Sequence, residues 1–171
     1  MSHTVLVAYA TKSGSTREVA DAVATTLSRQ GLASEVRAAA DVSSLEPYRA
    51  VVLGAALYMG RPHRDARRFL RRHRAQLAER PFAVFAMGPG SLKDTDVAGS
   101  RGQLDRALGR LPELRPLEVA VFGGVVKPEQ LRFPFNRMPA ADLRDWDAIE
   151  AWAGEVAEAF GDRAAPVEPL V

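Results

Sequence analysis

Short, almost uninterrupted apolar runs recur along this chain: Val5 to Tyr9, Ala50 to Leu57, Phe82 to Met87, and Glu118 to Val126, which is apolar after its first residue apart from a Gly-Gly pair. A strand buried on both faces has this pattern, because neither face can alternate with polar residues. Ser34 to Ala38 alternates and reads as a further short strand, second in chain order. Between the runs the period becomes helical. Val19, Ala20, Val23, Ala24 and Leu27 recur on one side, with Arg17, Glu18, Asp21 and Arg29 on the other, and Gly31 marks the stop. A second helix runs from the loop Tyr58 to Pro62 through about Leu77. A third, marked by Leu104, Ala107, Leu108 and Leu111, follows a glycine-rich stretch from Gly88 to Gly102. The last starts near Asp145-Trp146 and buries Ile149, Trp152, Val156 and Phe160. Such alternation predicts an α/β fold, a five-stranded parallel sheet covered by helices on both faces. Asp41 to Tyr48 has room for a turn or two of helix, since Pro47 stops anything longer. Lys127 to Asp142 reads as irregular. The expected organisation is one domain over 1–161 and a flexible C-terminal tail over 162–171.

The joint between the first strand and its helix is chemically the most specific stretch. Thr11-Lys12-Ser13-Gly14-Ser15-Thr16 holds four hydroxyls, a glycine and a lysine. The first turn of a helix has N–H groups without internal partners and a dipole that favours an anion. Gly14 lets backbone approach closely, and the hydroxyls can donate to phosphate oxygens. The dipole is worth only ~0.3–1 kcal/mol at an exposed site, so hydrogen bonds must carry most of a phosphate's affinity. The same residues also suit an ordinary turn with a Ser or Thr cap. Neither Gly-x-x-x-x-Gly-Lys-[Ser/Thr] nor Gly-x-Gly-x-x-Gly is present.

Composition narrows the chemistry. The 171 residues contain no cysteine, which excludes disulfides, thiolate nucleophiles, Cys-ligated zinc and a redox dithiol. Redox chemistry would have to belong to a bound cofactor. Three scattered histidines lack the carboxylate spacing of a metal site, so no metal is expected. Net charge is only +2, acidic residues dominate the last helix, and no recognition motif points to nucleic acid. Met1-Ser2-His3 leads directly into the first strand and no run is long enough to span a bilayer, so a cytoplasmic location is expected.

Thr11-x-Ser13-Gly14-x-Thr16, with Tyr9 before it and Ala20 and Val23 after it, resembles the flavodoxin signature. That resemblance implies strand order 2-1-3-4-5, with FMN as cofactor and its terminal phosphate wrapped by Thr11, Lys12, Ser13, Gly14, Ser15 and Thr16. It also implies that the loops after the first, third and fourth strands converge. Ala56, Leu57, Tyr58, Met59 and Gly60, with Gly88, Pro89, Gly90 and Ser91, would then frame the flavin ring. The likeness extends further. Gly54-Ala55-Ala56-Leu57-Tyr58-Met59-Gly60-x-x-His63, then Phe69, Gly123-Gly124, the segment Arg132-Phe133-Pro134-Phe135-Asn136-Arg137, and Asp145-Trp146 are similar to the menaquinone-dependent protoporphyrinogen IX dehydrogenase family. The usual Tyr-Gly pair of that family stands here as Met59-Gly60, with the tyrosine at Tyr58. The segment after the fifth strand is also shorter and less aromatic. Membership would imply an FMN-dependent oxidoreductase that passes electrons from a small reduced substrate to a quinone or another redox partner. A carrier without its own substrate and a non-catalytic binding module remain the alternatives.

Tyr58, at a strand's carboxyl end, can stack on a flat ring or sit in the rim of the core. His63 can transfer a proton near the ring or simply start a helix. His73, between Leu70 and Leu77, reads as structural. The run from Arg61 to Arg74 holds seven arginines. Its outward members form a solvated face or a patch for anionic lipid, an acidic partner or substrate carboxylates. Peripheral contact with the inner face of a membrane, extended by Lys127, Arg132, Arg137, Phe133 and Phe135, is one expectation; a homodimer is left open.

Overall fold

A computed structural model describes residues 4–12, 14–88, 93–130 and 132–164. In chain order it contains β1 (Thr4–Ala10), α1 (Ser15–Arg29), β2 (Ser34–Ala38), β3 (Tyr48–Tyr58), β4 (Arg61–Pro62), α2 (Arg64–Arg72) and α3 (Arg74–Ala78). There follow β5 (Phe82–Met87), α4 (Asp94–Gly109), β6 (Glu118–Phe122), β7 (Val125–Val126), β8 (Ala141–Asp142) and α5 (Trp146–Ala164).

The main sheet has the order β2-β1-β3-β5-β6 with every pair parallel, and β4 adds two residues antiparallel to the end of β3. Setting β4 aside, this is the expected 2-1-3-4-5 order. Alternate residues of β1 feed opposite layers. Val5 and Val7 pack with Val19, Val23 and Leu27 of α1 and with Ile149, Val156 and Phe160 of α5. Leu6, Ala8 and Ala10 face the layer of Phe69, Leu70, Leu77, Leu104 and Leu108. Both faces of each central strand are thus out of water, which is why those strands are apolar throughout. Strand order reverses between β1 and β3, and the chain leaves their carboxyl ends on opposite sides of the sheet. A crevice opens at that place.

Several boundaries differ from the sequence expectation. The second helix is broken at His73, whose backbone ends α2 by donating to the Phe69 carbonyl at 3.0 Å and starts α3 by accepting from Leu77 at 2.8 Å. Its ring is buried and lies 3.3 Å from the Val42 carbonyl through Nε2. The third helix starts at Asp94, well inside the expected glycine-rich loop, with Gly99 and Gly102 helical; it ends at Gly109, before Leu111. Asp94 and Asp96 in its first turn suit the positive helix end. The fifth strand stops at Phe122. Beyond Gly123 and Gly124, β7 pairs with β8 in a small antiparallel ribbon, so the segment expected to be irregular contains a strand and two short 3-10 turns. The last helix continues to Ala164, past the expected start of the tail at 162; the rest of that tail, and His3, lie outside the described residues.

Candidate functional site

The joint after β1 turns at Gly14, where φ is 85°. A side chain there would be strained, so glycine is required. The Gly14 N–H donates to Thr11 Oγ1 at 3.3 Å, which tightens the turn. Glycine also occupies the N-cap of α1, and no side chain caps the first-turn N–H groups from that position. Ser15 and Thr16 form the first turn and are buried, Thr16 completely. Thr16 Oγ1 has no hydrogen-bond partner among the described residues. Leaving a buried hydroxyl unsatisfied costs about 1–3 kcal/mol. An oxyanion arriving at this helix end would remove that cost and meet the first-turn N–H groups together. Lys12 is exposed and Ser13 lies outside the described residues.

The second expected loop is a tight hairpin rather than an open connection. Tyr58 pairs with Arg61 across two residues, Met59 (φ 48°) and Gly60 (φ 81°). Two successive positive φ values make a type I′ turn, whose twist matches that of the strands. The His63 N–H returns to the Ala56 carbonyl at 2.8 Å and fixes the hairpin against β3. His63 also caps α2, its Nδ1 accepting from the Asp65 N–H at 3.1 Å, and its ring stands edge-on to Tyr58 at 6.0 Å between centroids. The imidazole is therefore engaged at Nδ1 as a helix cap.

Gly88 follows β5, and its N–H donates to the Phe122 carbonyl at 3.0 Å. Pro89, Gly90 and Ser91 lie outside the described residues. The three expected loops do meet. One cleft of about 610 Å³ is lined by Ser15, by Ala56 through Gly60, and by Met87 and Gly88. Sequence reasoning missed two of its walls. Gly99, Ser100 and Gln103 come from α4, whose glycines disguised it as loop. Gly124, Val125, Val126 and Met138 come from the segment after β6, where the Gly-Gly pair was the available signal. The volume lies in the ~300–1,000 Å³ range of small-molecule sites.

Arg144 ties this last wall to α1. Its guanidinium holds Asp142 of β8 at 2.9 and 2.7 Å, pairs with Glu18 of α1, and lies 4.8 Å from the Trp146 ring centroid. The hydrogen bond from Arg144 holds the Asp142 carboxyl below its usual range, and the bond to Asp142 raises Arg144 further. Among the described residues no group of three or more acidic or histidine side chains could hold a metal ion, and no helix is long and apolar enough to cross a membrane.

The flavodoxin domain model matches residues 6–138. The quinone-dependent protoporphyrinogen IX dehydrogenase of Escherichia coli K12 is 25% identical over 173 residues, covering 89% of this chain and 93% of the relative. Among solved structures, a cysteine-to-serine mutant of flavodoxin from Pseudomonas aeruginosa superposes with a TM-score of 0.61 at 23% identity, over 92% of this chain and 99% of its own. Oxidised flavodoxin 1 from Bacillus cereus gives a TM-score of 0.61 at 20% identity, covering 91% and 97%. Those two likenesses concern the fold. With the family match spanning most of the chain, and with a glycine N-cap and a Thr16 hydroxyl unpartnered among the described residues, fit for a phosphate, the chain belongs to the flavodoxin-domain family, whose cofactor is FMN.

Proposed function

We propose that the chain is an FMN-dependent oxidoreductase that takes electrons from a small reduced substrate and delivers them to a quinone-type acceptor. Bound FMN supplies the hydride and electron chemistry, and the protein supplies position and electrostatics. In this reading Thr11 to Thr16 hold the phosphate through the α1 N–H groups and the hydroxyls, with Thr16 Oγ1 gaining the partner it lacks. Ala56 to Gly60 and Gly88 to Ser91 frame the ring, and the Tyr58 phenol body offers it an apolar edge. His63 serves as a cap, so no side chain is assigned proton transfer.

The observation that carries the enzyme reading is the extra wall. Val125, Val126 and Met138 reach the cleft from the segment after the last strand of the sheet, and the exposed Met59 lines it too. Together they present an apolar surface on which a flat hydrophobic reactant can lie beside the ring. The dehydrogenase relative aligns through nearly the whole chain, which supports the same assignment. Exposed arginines on α2 and Phe133, 70% exposed with Arg137 over its ring, fit contact with an anionic membrane where a quinone dissolves. Co-sedimentation with phosphatidylglycerol vesicles tests that part.

The fold likeness to flavodoxins favours a second reading, an electron carrier with no substrate of its own. Anaerobic stopped-flow mixing separates the two. After loading with FMN and reduction, an enzyme is reoxidised by a soluble menaquinone analogue with saturation, faster than free FMN under the same conditions. A carrier is reoxidised by protein partners and gains nothing over free FMN with the quinone.

A further inference from the structure

Arg144 bonds two acids that belong to different parts of the site. It grips Asp142 as a fork, Nε to Oδ1 at 2.9 Å and a terminal nitrogen to Oδ2 at 2.7 Å. Its backbone N–H donates to the same carboxylate at 3.1 Å. The other terminal nitrogen donates to Glu18. The arginine side chain is sheltered, with 11% of its surface exposed, and its guanidinium lies over the Trp146 ring. Asp142 pairs with Val125 across the β7–β8 ribbon, and Val125 lines the cleft. Glu18 stands in the first turn of α1, where its N–H donates to the Gly14 carbonyl at 3.3 Å. Contacts thus run unbroken from the turn glycine of the cradle, through Glu18, Arg144 and Asp142, to the cleft wall.

Glu18 places a negative charge within one turn of the seat assigned to a phosphate. While that seat is empty, the positive end of the helix favours the charge. A dianion in the seat repels it. Arg17, the next residue back, is turned onto the Tyr9 ring, 5.8 Å from its centroid. Arg144 is the cation bonded to Glu18, and its sheltered position limits screening by salt. A dianion at the helix end therefore strengthens the need for the Glu18–Arg144 bond, and that bond makes the helix end more receptive to the dianion. Coupling of this kind is reciprocal.

We propose that Arg144 is a positioning residue that couples the phosphate seat to the apolar wall: an oxyanion bound at the start of α1 holds the β7–β8 ribbon onto the cleft, and the seated ribbon tightens the hold on the oxyanion. Cofactor binding and assembly of the wall are then one event, and a flat reactant meets its surface on the cofactor-loaded chain. The inference rests on the phosphate seat of the proposed function and not on the reaction assigned to it.

Two readouts on the full chain test it without turnover. FMN affinity is titrated by flavin fluorescence at low salt. Hydrogen exchange follows peptides covering 124–126 and 141–143, where the Leu143 N–H donates to the Gly124 carbonyl at 3.0 Å. In wild type, FMN is expected to slow that exchange several-fold. Arg144→Gln weakens FMN about ten-fold and abolishes the slowing. Glu18→Gln, at an exposed position, binds FMN at least as tightly as wild type yet also loses the slowing. The double variant Glu18→Gln/Arg144→Gln recovers most of the FMN affinity, because the bare carboxylate is gone; an arginine that only braced the fold would leave it weak. Arg115→Gln, which removes the same charge from the exposed loop before β6, changes neither readout. Ribbon exchange unaltered by FMN in wild type overturns the coupling. So does a double variant no tighter than Arg144→Gln, or an equal loss in the Arg115→Gln control. A wild type that takes up no FMN overturns the seat and the coupling together. Intact coupling without quinone turnover rejects the reaction and keeps the role of Arg144.

Discussion

Gly123 and Leu143 meet backbone against backbone: a Cβ on Gly123 would lie 2.3 Å from the Leu143 carbonyl oxygen. The chain leaves the sheet at this glycine, makes the β7–β8 ribbon, and returns over its point of departure. The Leu143 N–H then closes the loop on the Gly124 carbonyl at 3.0 Å. The wall carrying Val125 and Val126 stands where it does because nothing projects from Gly123. Gly123→Ala is expected to cost about 1–3 kcal/mol of stability, as overpacking does, and to raise KM for quinone more than it weakens FMN. Thermal unfolding and steady-state kinetics check it; unchanged values for both would show that the ribbon has another seat.

Thr16→Val gives opposite signs with and without cofactor. In the FMN-free protein the variant removes a buried hydroxyl that lacks a partner, so stability is unchanged or higher. FMN affinity falls about ten-fold, the value of one hydrogen bond to a charged acceptor. Denaturant unfolding of the FMN-free form and an FMN titration are the two measurements. Lower stability without FMN would mean that the hydroxyl already has a partner.

Met59 has a φ of 48° and is 87% exposed, a position that asparagine fills with less strain. Met59→Asn is expected to stabilise the protein by about 0.5–1 kcal/mol, part of the cost of a left-handed L-residue. Quinone reduction should fall, because the apolar side chain at the cleft is lost. A stabilised variant with full quinone activity would leave Met59 without a role at the site.

Stability is expected to fall as pH drops below 6.5, with His73 as the cause. Burial lowers its pKa from 6.5, aided by the charge of Arg72 and opposed by hydrogen bonds to Val42 and Gln76. Between the folded and unfolded values the unfolded chain binds more protons, so acidification favours unfolding in that window. Chemical unfolding at about pH 7.5, 6.5 and 5.5, values that bracket the ordinary histidine pKa, measures the slope, and His73→Gln should flatten it.

The strands were legible because a sheet covered on both faces leaves no polar alternation, and Val5 to Tyr9 or Phe82 to Met87 can hardly be anything else. The joint at Gly14 was legible too, since a glycine and several hydroxyls ahead of an amphipathic run mark a helix end open to an anion. The hairpin was hidden: Met59 is not a residue that announces positive φ, and only Gly60 hinted at the turn. Gly99 and Gly102 made α4 read as loop, because each costs about 1 kcal/mol in a helix; burial of Ser100, Leu104 and Leu108 outweighs them. At the break His73 meets the Val42 carbonyl, 31 residues away in sequence, a contact that no local pattern encodes.

The phosphate cradle after β1 is the claim on which the functional account stands. Its most direct test is an FMN titration of the purified protein, followed by gel filtration and a visible spectrum, on wild type and Thr16→Val side by side. The account predicts a yellow wild-type protein with one flavin per chain and an affinity about ten-fold weaker in the variant. A wild-type protein that leaves the column colourless, or one that holds FMN equally well with and without the Thr16 hydroxyl, would contradict it.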